Sequence, residues 1–219
     1  MITSFTKIEN ILNARIRNPI YNTSYPLEPK DWKPYETEGN LPFNPNKPIA
    51  FYFHIPFCRQ LCLFCEYSRI IIPKESIQLQ YISTLLKDSN KFKEIYASLQ
   101  LYGFDIGGGT PTALDLSAFD ELLTLFSFIV NNSSLTDDFE PSIEATFQTI
   151  NQEKISLIAK NGFRRISLGI QSSSSSLMHS YNRASQSLEK MKETIELIHL
   201  HGIPKINIDI MYGITVKSF

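Results

Sequence analysis

Cys58, Cys62 and Cys65 are the only cysteines of the chain and lie within eight residues, as Cys-x3-Cys-x2-Cys, directly after the apolar run Ala50–Ile55. Three soft thiolates on one short loop suit a four-iron cluster. Three irons take protein sulfur and the fourth keeps an open position for another ligand. An open iron lets a cluster act on a bound molecule as well as carry electrons. The competing occupant is zinc, with His54 as fourth ligand in a Cys3His set. The x3 spacing of the first pair and the lack of a second Cys/His knuckle favour iron.

Other polar residues interrupt apolar runs at positions that could serve such a centre. Gly107-Gly108-Gly109-Thr110 closes a strand-like run, where missing Cβ atoms let the backbone approach a ligand. No Gly-Lys-Ser/Thr follows, which argues against a triphosphate loop, and a plain tight turn is the alternative. Glu144 sits inside Ile143–Phe147, Gln171 ends Arg165–Ile170, and Asp209 breaks the isoleucine alternation at 206, 208 and 210. Arg183 follows Gln171 by twelve residues. Buried charges need partners, so an Arg183–Asp209 or Arg183–Glu144 ion pair is the purely structural alternative. Tyr52 and His54 share one strand face, opposite Phe51, Phe53 and Ile55. His179, His199 and His201 carry no assigned role.

Taken in order, the cysteine stretch Phe51–Tyr67, Gly107–Pro111, Ile166–Gln171, Asn182-Arg183 and Asn207–Gly213 resemble the radical S-adenosylmethionine (radical SAM) enzymes. Within that superfamily the chain is similar to the oxygen-independent coproporphyrinogen III oxidase family, over roughly residues 50–213. The resemblance implies a [4Fe-4S] cluster on Cys58, Cys62 and Cys65, with S-adenosylmethionine (SAM) on the open iron. It implies reductive cleavage of SAM to methionine and a 5′-deoxyadenosyl radical. An electron donor such as flavodoxin or ferredoxin and a tetrapyrrole or other small-molecule substrate would be its partners. By the same resemblance Tyr52 lies at SAM and Phe64 beside the cluster and adenine. Gly108, Gly109 and Thr110 meet the methionine end, and Glu144, Gln171, Arg183 and Asp209 meet SAM's polar groups.

Three departures mark the chain. Tyr67 stands where the true oxidases carry one more cysteine, Ser172–Ser176 replaces an aromatic and acidic or amide pair, and Phe147 replaces a proline. Cys65-Glu66-Tyr67 resembles the acid–aromatic pair of related haem chaperones. A radical SAM methyltransferase of a small aromatic or natural-product substrate is the third member type the resemblance allows.

These residues must be held by a repeating pattern of strands and helices. Strand-like runs are Ala50–Ile55, Leu101–Ile106, Ser142–Phe147, Arg165–Ile170 and Lys205–Met211. Helical segments span about 75–99, 117–131, 151–161, 175–181 and 186–201. Ser117/Asp120 and Thr149/Gln152 read as capping boxes, and Gly162 and Gly202 as helix-ending glycines. The alternation predicts an α/β fold with parallel strands joined by right-handed crossovers. The resemblance implies a partial (β/α)6 barrel of about five strands, with the site on the loops after the strands. Residues 1–48 read as an irregular N-terminal arm with a short helix around Ile8–Ile16, and 49–219 as the core. Six residues follow Gly213, where the family continues into a sixth strand. The expectation is a C-terminally truncated member, one completed by another chain, or an inactive remnant.

Composition narrows the setting. A net charge of −1 gives no footprint for nucleic acid or an anionic membrane. The apolar run Leu122–Val130 is too short for a bilayer span, and residues 1–7 lack a signal-peptide core. A clustered, odd cysteine set points to a reducing compartment and a cytoplasmic protein.

Overall fold

The computed structural model describes residues 47–214. All but the last two residues of the expected N-terminal arm, and residues 215–219 of the expected core, lie outside them. Strands β1 (Ile49–Ile55), β4 (Gln100–Gly108), β5 (Ser134–Ala145), β6 (Arg165–Gln171) and β7 (Lys205–Ile210) form one parallel sheet in the order β1-β4-β5-β6-β7. Two short parallel strands that the sequence did not signal, β2 (Phe57–Cys58) and β3 (Ile70–Ile71), make a separate ribbon around the cysteines. The helices are α1 (Glu75–Asn90), α2 (Lys93–Tyr96), α3 (Leu116–Asn131), α4 (Gln152–Lys160), α5 (Ser175–Ser180) and α6 (Leu188–Leu200). This is the α/β arrangement expected, an open five-stranded sheet with β1 and β7 at its edges. No described helix is long and apolar enough to cross a membrane.

One sheet face builds the core. Phe104 is fully buried, and its ring meets Phe51, Phe53 and Phe126 at 5.8, 5.3 and 4.9 Å. Ile106, Ile143, Ile166 and Leu168 continue that face across the sheet beneath Phe119, Leu122, Leu123, Phe126 and Ile129 of α3. Each such side chain withdrawn from water contributes roughly 1.5–3 kcal/mol. The alternate positions face the other way. Tyr52, Asp105, Ser142, Arg165 and Lys205 stand in one row, and His54, Gly107, Glu144, Ser167 and Asn207 in the next; part of this follows directly from the pairing register. The lower row is held by charge: Arg165 reaches Asp105 at 3.2 Å and Glu140 at 3.3 Å, and Lys205 also pairs with Glu140.

Element ends differ from expectation for local reasons. The helix expected over 75–99 stops at Asn90. The N–H groups of Lys91 and Phe92 turn back to Asp88 and Ser89 at three-residue spacing, tightening the end, and a separate turn, α2, follows. Ser117 is no cap: α3 starts after Asp115, and the Ser117 hydroxyl donates to Glu75. Asp115 is held by buried Gln78, which donates to its carboxylate at 2.9 Å and accepts its N–H at 2.8 Å. Thr149 is likewise no cap, because Asn151 Oδ1 accepts the Lys154 N–H at the start of α4. Gly162 and Gly202 do follow α4 and α6 at positive φ.

Candidate functional site

The cysteine loop follows β1 and is fastened on three sides. Behind it, the Ile70 and Ile72 N–H groups donate to Pro56 and Cys58 carbonyls at 2.8 and 2.9 Å. Across it lies the segment after α5. Tyr181 C=O accepts the Leu63 N–H at 2.9 Å, Asn182 Nδ2 donates to Leu61 C=O at 3.0 Å, and the Ala184 N–H donates to Gln60 Oε1 at 2.8 Å. Within it, Arg69 donates to the Cys62 carbonyl at 2.7 Å and the Tyr67 carbonyl at 3.2 Å. Buried Cys58 lies 3.6 Å from the Thr110 hydroxyl, joining the loop to the end of β4.

Burial pushes the Cys58 thiol pKa up. The Thr110 hydroxyl opposes that rise, Cys65 and Cys62 add to it, and the Arg69 charge opposes it. Three thiolates gathered this way need a cation to displace their protons. Among the described residues no group of three or more His, Cys, Asp or Glu side chains is placed to hold a single ion. One tetrahedral zinc needs all its sulfurs about 2.3 Å from the same centre, whereas a cluster takes each thiolate on a separate iron. His54 is also committed elsewhere. Its Nε2 donates to Ser68 C=O at 2.6 Å, which leaves Nδ1 of the neutral ring to accept from the Tyr52 hydroxyl at 3.3 Å. The His54 ring is turned toward Tyr52 and the Gly108 backbone. The donor set, three soft thiolates on one short loop, fits a multi-iron group.

The glycine turn abuts the loop. Gly109 donates to Ile55 C=O at 2.8 Å and Thr110 to Phe57 C=O at 2.9 Å, so the two βα loops share backbone bonds. Gly108 has φ +106°, and a Cβ there would sit 2.4 Å from the His54 ring. The Gly108 N–H donates to Glu144 Oε2 at 3.0 Å. Glu144 opens onto the polar face, yet surrounding protein still strips water from its carboxylate and raises its pKa. The Gly108 bond counters that rise, and nearby Asp209 and Asp105 reinforce it.

Arg183 forms neither expected ion pair among the described residues. It donates to Gly169 C=O, reaches Cys62 Sγ at 3.5 Å through Nη1, and lies 5.9 Å from the Phe64 ring centre. Phe64 in turn meets the Tyr181 ring at 5.9 Å. Asp209 is exposed and accepts from Asn207 Nδ2 at 2.8 Å. Gln171 and Asn182, at φ +66° and +52°, are the non-glycine residues of the described chain with positive φ. Such backbone persists where surroundings hold it, often at functional sites.

The expected residues thus fall into two groups. Cys58 with Thr110, and Cys62 with Cys65, Arg183 and through it Phe64, gather around the cysteine loop. Tyr52, Gly108, Glu144, Gln171 and Asp209 line the polar side and the ends of β1, β4, β5, β6 and β7, with Gly109 joining the groups. Sequence reading passed over Arg69, Gln60 and Asn182 as loop supports. Asn182 stood beside a motif residue, but no local pattern marked Arg69 or Gln60.

Known proteins resemble this chain in sequence and fold. The radical SAM superfamily profile matches residues 52–219. An oxygen-independent coproporphyrinogen III oxidase of Helicobacter pylori (strain J99) is 32% identical over 172 residues, covering 78% of this chain and 37% of that protein. The heme chaperone HemW of Lactococcus lactis is 30% identical, covering 78% and 43% respectively. The structure of Escherichia coli coproporphyrinogen III oxidase superposes with TM-score 0.70 at 28% identity, over 80% of this chain and 39% of that one. The chain spans less than half the length of each of these relatives.

Proposed function

Because the chain belongs to the radical SAM superfamily, we propose that it binds a [4Fe-4S] cluster through Cys58, Cys62 and Cys65 and SAM across the adjoining polar face, for radical chemistry on a tetrapyrrole. Its relation to the coproporphyrinogen III oxidases supports that substrate class. The observation that carries the reading is the shared framework of the two βα loops. The cysteine loop and the glycine turn are bonded through Gly109, Thr110 and Cys58, and Arg183 touches both Cys62 and the end of β6. Cluster and SAM together would supply a one-electron cleavage giving methionine and a 5′-deoxyadenosyl radical.

The chain's own residues bind and orient. Gly108 and Gly109 bring bare backbone to the methionine end of SAM, with Thr110 beside them. Glu144, held by the Gly108 N–H, offers a carboxylate to the SAM ammonium, and Arg183 offers a guanidinium to its carboxylate. Gln171 and Asp209 would bond SAM's remaining polar groups, Tyr52 would lie beside SAM at β1, and Phe64 would give an aromatic face to adenine. A small electron donor such as flavodoxin or ferredoxin would supply the electron to the group held by Cys58, Cys62 and Cys65. Anaerobic reconstitution followed by dithionite and SAM tests the reading. The expected result is about four irons and four sulfides per chain and 5′-deoxyadenosine by chromatography. Protein that takes up zinc alone, or yields no 5′-deoxyadenosine, overturns it.

Haem binding is a second reading, favoured by one feature. Tyr67, half exposed next to Cys65-Glu66, replaces the additional cysteine of the oxidases, and a heme chaperone is among the similar proteins. Haem titration of the purified chain, read by a Soret shift that Tyr67→Phe abolishes, separates it from the first.

A further inference from the structure

Arg69 sits between the cysteines and β3, with its guanidinium turned back onto the loop. Two of its nitrogens serve backbone, Nη2 at Cys62 C=O and Nη1 at Tyr67 C=O. Its Nε is buried and has no acceptor among the described residues. A buried donor without a partner is costly, and native proteins keep one where a ligand or ion supplies the acceptor. One side chain thus combines a fixed position, a spare N–H and a positive charge beside the thiolate donors.

We propose that Arg69 sets the reduction potential of the group held by Cys58, Cys62 and Cys65, its charge and spare Nε–H stabilising the electron-rich reduced form; this rests on the cluster reading above. Hydrogen bonds to cluster sulfur and nearby charge are the protein's main levers on such potentials. Adding one electron makes the cluster more negative, so a fixed cation favours reduction. Removing it makes the potential more negative. Arg69 is a positioning residue here, acting on the cluster and not on SAM.

The test is a dithionite titration of the reconstituted full chain without SAM, read by electron paramagnetic resonance, with iron and sulfide measured on the same samples. For Arg69→Gln the expected result is wild-type iron and sulfide and a reduced-to-oxidised ratio about tenfold lower at a fixed poise, equivalent to about 59 mV for one electron. Arg69→Lys, which keeps charge and loses the planar fork, is expected to lie between. An unchanged potential in a fully loaded Arg69→Gln overturns the proposal. Loss of the cluster from both variants, with wild-type circular dichroism, makes Arg69 a clamp only and overturns it equally. A wild-type chain that holds no iron and sulfide defeats the cluster reading itself, before any variant is compared.

Discussion

Arg183 and Cys62 are 121 residues apart in sequence, yet the guanidinium Nη1 lies 3.5 Å from the cysteine sulfur. The contact is made by a chain reversal after α5, where the Arg183 N–H bonds back to Met178 C=O at 2.9 Å and Asn182 adopts positive φ. Its other arm is anchored on Gly169 C=O in β6. Arg183 therefore ties the cysteine loop to the fourth strand of the sheet without neutralising any carboxylate.

Arg183→Lys tests that fork. Lysine keeps the charge but cannot hold Gly169 and face Cys62 at once, so about one charge-assisted hydrogen bond is lost, about 1.5–3 kcal/mol. SAM affinity of the reconstituted protein, by equilibrium dialysis, is expected to fall tenfold or more, with the cluster retained. Unchanged affinity with a lowered melting temperature would make Arg183 a structural tie only.

Gly109→Ala probes the seam between the two loops. An added Cβ would lie 2.7 Å from Ile55 O and 2.8 Å from Pro56 C, both backbone atoms that cannot rotate away. Forced repacking of this kind costs roughly 1–3 kcal/mol. The urea midpoint is expected to fall with unchanged slope, and the cluster to bleach faster in air. A midpoint equal to wild type would show that β1 and β4 separate there without cost.

The residues legible in the sequence were those whose chemistry is local. Three cysteines within eight residues, a glycine triplet, and a charge inside an isoleucine alternation each stand out in a short window. The strands were equally plain, because a sheet covered on one face alternates apolar and polar residues, as at Phe51, Phe53 and Ile55 or Ile206, Ile208 and Ile210. Supports made by distant residues left no such trace. Gln78 fixing Asp115, Asn182 holding Leu61 and Arg69 holding Cys62 depend on which loops meet, and that is set by topology. The early start of β5 was also hidden. Ser134 and Leu135 pair with Gln100 and Leu101, and the register then shifts so that Gly103 pairs with Glu140 past the polar Thr136-Asp-Asp138.

Glu144 makes stability pH-dependent in a stated direction. Its pKa is raised in the folded protein, chiefly because surrounding atoms strip water from the carboxylate. The unfolded chain therefore releases that proton first, at about pH 4.3, and Glu144 disfavours folding progressively as pH rises to its folded value. Glu144→Gln keeps an acceptor for the Gly108 N–H and removes the charge. It is expected to exceed wild type in melting temperature at pH 7 and to match it at pH 4. An equal difference at both pH values would mean that ionisation of Glu144 is not what folding resists.

Lys154 carries the clearest buried charge outside the site. It is 5% exposed, donates to the Thr112 and Leu114 carbonyls at 2.6 and 2.7 Å, and lies 5.6 Å from the Phe119 ring centre. It thereby pins the segment after the glycine turn onto α4. Burial lowers its pKa to about 8; Arg59 lowers it further, and Asp115 and Glu153 oppose the shift. Below pH 8 the folded protein bears the full cost of that charge. Between pH 8 and the unfolded value near 10.4 the unfolded chain binds more protons, so this residue adds stability as pH rises, up to about 3 kcal/mol. Lys154→Met cannot titrate and leaves both carbonyls unpaired. The stability of wild type relative to Lys154→Met, from urea unfolding at several pH values, is expected to be constant below pH 7.5 and to grow from pH 8 to 10.4. A difference that stays flat across that interval would show that the two carbonyls and the aromatic ring compensate the buried ammonium in full.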